Sequence, residues 1–138
     1  MIRYGIAILF AIAAGVVGAR AQGFPSKQVT MIVPFPAGGG SDILARIVAD
    51  HMRRSLGQPV IVENVGGAGG TIGTARVARS PADGYTIGFG QWTSHVGSGA
   101  LYALSFDLLK DLTPVAPLTT AVLWLIGRGD LPANNLKE

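Results

Sequence analysis

Gln28-Val-Thr-Met-Ile-Val-Pro-Phe-Pro-Ala-Gly-Gly-Gly-Ser-Asp-Ile-Leu44 decides the fold. The stretch passes from a β-rich run, Gln28 to Pro34, through a glycine break at Gly38 to Gly40, into a segment of helical spacing from Ser41 to Leu56. In that segment Leu44, Ile47, Val48, Met52 and Leu56 recur at helical intervals, and Arg46, Asp50, Arg53 and Arg54 take the other side. One face is expected in the core and one in water. Gly57 supplies a stop, and Pro59 starts the next extended piece.

The same unit follows at once. Pro59 to Glu63 reads as a strand, Gly66-Gly-Ala-Gly-Gly70 as a second glycine loop, and Thr71 to Ser80 as a second helix. A third unit has a turn at Ser80-Pro-Ala-Asp-Gly84, a strand from Tyr85 to Gly90, and from Gln91 to Leu104 a polar loop leading into a short helix. Strands alternating with helices predict an α/β fold, its parallel sheet covered on both faces. Thr113 to Gly127, with Val115 and Val122 to Ile126, reads as a long buried strand.

Upstream, Arg3 precedes an uncharged, mostly apolar run from Tyr4 to Ala19, then Ala19-Arg-Ala21. This is the pattern of a secretory signal peptide over residues 1–21, with cleavage before Gln22. The run is sixteen residues long, shorter than the ~20 that a spanning helix needs. Arg3 and Arg20 fall within residues 1–21, so the net charge of +3 drops to +1, nine basic against eight acidic residues, in the remainder. That balance lacks the basic stripe of a nucleic-acid binder. The absence of cysteine removes disulfides, thiol nucleophiles and thiolate metal sites.

In an open α/β sheet, ligands sit beyond the carboxyl ends of the strands. The two glycine loops therefore matter twice: glycine lets peptide N–H groups approach a ligand, and each loop opens a helix whose first N–H groups and dipole attract an anion. A small carboxylate is the expected guest. Either loop alone reads more readily as a tight strand-to-helix turn; the pair points to an anion site. Asp42, in the first turn of its helix, either pairs with the dipole, fixes the loop, or receives a polar group of the ligand. Trp92 could cover an apolar part of the ligand or simply pack. Thr93 or Ser94 suits a helix cap, and His95 is placed to donate to a carboxylate.

Other chemistries fit less well. With Gly67 and Gly69 as the first two glycines of G-x-G-x-x-G, the third falls on Ile72, and only a looser pattern ending at Gly73 matches. No G-K-[S/T] follows either loop, and no G-x-S-x-G frames a serine. His51 and His95 are the only histidines, too few for a metal cluster or triad. No cofactor and no catalysis are expected, and a nucleotide-dependent enzyme is the weaker alternative.

Val33-Pro-Phe-Pro-Ala-Gly-Gly-Gly-Ser-Asp42, Val62-Glu-Asn-Val-Gly-Gly-Ala-Gly-Gly-Thr-Ile-Gly73 and Pro81-Ala-Asp-Gly-Tyr-Thr86, in that order, resemble the Bug family, the substrate-binding components of tripartite tricarboxylate transporters. Ser94-His95, Ala100-Leu-Tyr102, Phe106-Asp107, Asp111 to Ala116 and Leu131-Pro-Ala133 extend the likeness over nearly all of the chain after residue 21. The resemblance implies a periplasmic, flytrap-shaped binding protein of type II, monomeric at full length, that passes its carboxylate to membrane transporter subunits. A sensor docking on a membrane receptor is the alternative outcome of the same binding.

The family places its ligand between two lobes, against two glycine loops and ordered water. Those loops correspond here to Phe35 to Asp42, with Phe35, Ala37, Gly38, Gly39, Ser41 and Asp42 as candidates, and to Asn64 to Thr71, with Asn64, Ala68, Gly69, Gly70 and Thr71. Trp92, Thr93 and His95 complete the set. Val65-Gly66 stands where family members commonly have Arg-Pro, so a positive charge and a rigid residue are missing beside the site. The family is longer, so residues 22–113 are expected to form the first, parallel-sheet lobe. Residues 114–138 are expected to begin the crossover to a second lobe that is largely absent from a truncated chain.

Overall fold

The computed structural model describes residues 23–120 together with Arg128 and Pro132. The expected signal segment and the apolar stretch 121–127 lie outside the described residues. Three parallel strands form the sheet: β1 (Val29–Val33), β2 (Val60–Asn64) and β3 (Thr86–Gly88), in the order β2-β1-β3. Val29 pairs with Val60 and Val33 with Asn64 on one side, and Thr30 pairs with Thr86 and Ile32 with Gly88 on the other. β1 is central and buried at every position but Thr30, as a parallel strand covered on both faces must be.

Helix α1 (Gly40–Leu56) packs across β1 and β2, and α2 (Thr71–Ala78) across β1 and β3. Side chains alternate along a strand. Val29, Met31 and Val33 accordingly join Ala45, Ala49, Val60 and Phe89 in one core. Gly88, the register neighbour of Ile32, instead approaches Val77 of α2. The two helices therefore cover opposite faces.

The stop signals act as expected. Gly57 takes φ +68°, and its N–H donates to Arg53 O at 3.1 Å, the left-handed cap that glycine adopts without a Cβ clash. Asp42 in the first turn of α1 and Arg53 and Arg54 in the last lie favourably along its dipole. The turn before β3 is closed by Asp83 Oδ1, which accepts the Tyr85 N–H at 3.0 Å. Beyond β3 the chain makes a wide π-type turn over Thr93–Gly97 and a short helix, α3 (Ser98–Leu101).

Two expectations are corrected. Ile47 is 53% exposed, because the contact stripe of α1 runs through Ala45 and Ala49, flanked by Leu44, Val48, Met52 and Leu56. Ile47 is two residues from each alanine, about 200° around a helix that turns ~100° per residue. Small residues at the contact let α1 lie close to the sheet. Of the strand expected over Thr113 to Gly127, residues 113–120 form none and are exposed, Val115 at 90%. Pro114 and Pro117, three residues apart, remove two ladder donors.

α2 meets the sheet through Gly73, where an added Cβ would fall 2.5 Å from Val65 O and 2.9 Å from Pro34 Cα. Backbone atoms cannot step aside as side chains do. Gly73→Ala is therefore expected to destabilise the chain by ~1–3 kcal/mol, the usual range for overpacking. A urea midpoint equal to that of the wild type would contradict this packing.

Candidate functional site

All three strands end at one edge of the sheet, and the loops after them meet there. β1 is hydrogen-bonded on both sides, so the loop after it has the other two as neighbours. The loops after β1 and β2 are tied by Asn64, whose Nδ2 donates to Phe35 O at 3.1 Å and to Asp42 Oδ1 at 3.0 Å. A Cβ at Gly66 would lie 3.4 Å from Pro36 Cδ and 3.6 Å from Phe35 C. The two glycine loops thus lie side by side.

Asp42 holds the first loop in shape. It is buried, and its Oδ2 accepts the Gly38 N–H at 2.8 Å while Oδ1 accepts from Asn64 and pairs with Arg46 at 3.0 Å. The Gly38 N–H above all, and then the Arg46 guanidinium, lower its pKa from 3.8 to about 2 against the opposing effect of burial. Gly38 can offer this N–H because it sits at φ +84°, a conformation that costs glycine little. Of the roles open to Asp42, the geometry is that of fixing the loop, with both oxygens already engaged by protein donors.

The second loop differs in kind from the first. Gly70, buried at φ +94°, presses against Ser94 Cβ, Pro34 O and the Phe35 ring, and its own N–H closes a turn on Gly67 O at 2.9 Å. Tyr102 lies over Gly69, with Cε2 3.2 Å from where a Cβ would be. These glycines allow close approach of the protein to itself. Ala68 and Gly69 remain exposed, and Thr71 opens α2 beside a hollow shared with Arg79 and Phe106.

An open cleft of about 450 Å³ lies between the first and third loops. One wall is Phe35, Pro36, Ala37, Gly39, Gly40 and Ser41; the other is Gln91. β2 and β3 flank β1 on opposite sides, and α1 and α2 cover opposite faces of the sheet, so the cleft lies beyond the carboxyl ends of β1 and β3 where successive connections change sides. That is the switch point at which open α/β sheets hold ligands. α1 begins at this cleft with Gly39 as its cap, and among the described residues no side chain accepts from the amides of the first turn. No cationic side chain lines the cleft among the described residues. What faces it is the positive end of the α1 dipole.

The third loop is stiffened from within. Ser94 Oγ donates to Gln91 O at 3.2 Å and lies 2.8 Å from His95 Nδ1, and the His95 N–H donates to Gln91 O at 3.0 Å. The imidazole lies flat on Gly90, three ring atoms 2.8 Å from where a Cβ would be, and burial pushes its pKa below 6.5. His95 is thus half-buried behind the cleft rather than lining it. Trp92 is 60% exposed with its ring against Gly97, and Thr93 is exposed beside it.

Of the expected residues, the structure brings Phe35, Ala37, Gly39 and Ser41 to the cleft. Gly38, Asp42 and Asn64 lie beneath it as its fastening, and Ala68, Gly69, Gly70 and Thr71 stand to one side. Sequence reasoning missed Pro36, Gly40 and Gln91. The strand order that sets Gln91 opposite Ser41 has no local signature in the sequence.

A family model described as tripartite tricarboxylate transporter family receptor matches residues 44–138. Protein BugT of Bordetella pertussis is 38% identical over 133 residues, which cover 95% of this chain and 41% of that protein. A UPF0065 protein of the same species is 42% identical over 120 residues, 87% of this chain and 37% of its own length. The chain thus spans about two fifths of the length of these curated relatives. Among solved structures, MatC from Rhodopseudomonas palustris with bound malate is similar at a TM-score of 0.64 and 43% identity, over 67% of this chain and 32% of that one.

The Asp42 fastening sets a pH dependence. Its pKa in the folded chain is below its ordinary value, so its stabilisation is complete above pH 3.8 and is lost as pH falls through about 2. Asp42→Asn turns an acceptor facing Gly38 into an amide. It is expected to lower the melting temperature at neutral pH and to flatten the fall in melting temperature between pH 3.8 and about 2. Parallel curves for variant and wild type would contradict the fastening.

Proposed function

The chain belongs to the tripartite tricarboxylate transporter receptor family, and from that membership we propose that it captures a small di- or tricarboxylate at the cleft between its first and third loops. The observation that carries this reading is the uncapped start of α1. A helix of 17 residues opens on the cleft through Gly39, Gly40 and Ser41 with no side-chain acceptor of its own. A carboxylate oxygen satisfies such donors and gains from the dipole. The capture is binding, without chemistry.

The wider role follows the family. The loaded protein works outside the cytoplasmic membrane, in the periplasm, and delivers its acid to membrane transporter subunits. Residues 1–21 direct export, and a second lobe, as the family resemblance implies, faces the open side of the cleft. Closure is stabilised when the ligand touches both sides. MatC, described with malate bound, supports an acid of this size.

A ligand that binds only the folded state raises its stability by about 2.7 kcal/mol at roughly one hundred times its Kd. Thermal melts with malate, succinate, adipate and citrate are therefore expected to show a rise of several degrees with at least one acid. Gly40 has open space where a Cβ would go, so Gly40→Asp should melt like the wild type without ligand. Its carboxylate occupies the amides of α1, and the ligand-induced rise should disappear. No rise with any of these acids, or an undiminished rise in Gly40→Asp, would overturn the proposed site.

A further inference from the structure

We infer that Gln91 determines specificity at this cleft, its side-chain amide donating to a second oxygen-bearing group of the bound acid. The inference rests on the binding role proposed above and adds what distinguishes one acid from another. Gln91 faces the start of α1 from the opposite wall. Ser41 Oγ–H donates to Gln91 Oε1 at 3.1 Å. That bond fixes which way the amide points: its oxygen is taken, and its NH₂ group keeps two donors. No other described residue bonds to that NH₂.

Exposed glutamines ordinarily sample many rotamers, and fixing one costs entropy on binding. Gln91 is held at three places instead. Its C=O accepts from Ser94 Oγ and from the His95 N–H, its N–H reaches Ser94 Oγ at 3.4 Å, and its side-chain oxygen is held by Ser41. Ser94 is itself fully buried and locked, since Ser98 Oγ donates to Ser94 O at 2.8 Å. The wide turn over Thr93–Gly97 therefore presents one neutral donor pair toward the cleft with little freedom left to lose.

The two walls offer different things. The α1 side supplies peptide N–H groups with a dipole behind them, which suits the charged carboxylate. The Gln91 side supplies a neutral amide, which suits a distal carboxylate or a hydroxyl but gains nothing from a methyl end. The preferred ligand class is thus a short acid with an oxygen function at its far end. A simple monocarboxylate leaves the amide without an acceptor.

Calorimetric titration of the full chain with succinate, malate and butyrate tests this assignment. Gln91→Met, similar in length and lacking both donors, is expected to weaken succinate and malate about tenfold, the loss of roughly one hydrogen bond, and to leave butyrate unchanged. Gln91→Glu places a like charge there and should weaken the diacids further. Ser41→Ala, which releases the amide without removing it, should give a smaller diacid loss and serves if a Gln91 variant does not fold. Equal losses for succinate and butyrate, or unchanged succinate binding in Gln91→Met, would overturn the role of Gln91 while the binding reading stands. A wild-type chain that takes up none of these acids would overturn both.

Discussion

The buried carboxylate of Asp42 is the fastening on which the site depends. One side chain accepts a peptide N–H from the first loop, an amide N–H from the residue that ends β2, and a guanidinium from the next turn of its own helix. Each partner belongs to a different piece of the chain. A buried charge is tolerated only when its oxygens are this fully engaged, so the loop after β1, the start of α1 and the end of β2 are fixed relative to one another. The same bonds explain why the amides of the α1 first turn remain available: the acid near them is turned down into the fold, away from the cleft.

Sheet order then decides which loops become walls. With β1 central, its loop has a neighbour on each side, and the two neighbours are used differently. The β2 loop is drawn in against the protein, through Gly66 beside Pro36 and Gly70 beneath Ser94 and Phe35. The β3 loop stands off and leaves a cleft, with Gln91 across from Ser41. A rigid floor, a dipolar wall and a neutral polar wall result. The proposed recognition of an anion needs no lysine or arginine among the described lining residues, because peptide N–H groups are aimed in advance and need no reorganisation.

Much of this is legible in the sequence, and the rest is not for identifiable reasons. The strand, loop and helix units at 28–56 and 59–80 carry their own punctuation in Gly57, Pro59 and the glycine runs, so element type and order can be read locally. The face of α1 is misread at Ile47 because a hydrophobicity pattern weights size, whereas the contact is made by Ala45 and Ala49, which are small enough to approach. The two glycine loops look alike as strings. Their difference lies in what each glycine touches, Asp42 for one and Ser94, Pro34 and Tyr102 for the other, and such long-range contacts leave no local trace. Gln91 escapes for the same reason, since nothing near it in sequence tells that β3 pairs with β1.

The central claim is that peptide N–H groups at the start of α1 bind the acid. Amide nitrogen and proton shifts, followed by NMR as succinate is added to the isotopically labelled chain, test it most directly. The account predicts saturable shifts concentrated at Gly39, Gly40 and Ser41, with the Gln91 side-chain NH₂ moving on the same isotherm. Saturable shifts centred instead on Ala68 and Gly69, or on the exposed arginines of α1, with the first loop unmoved, would contradict it.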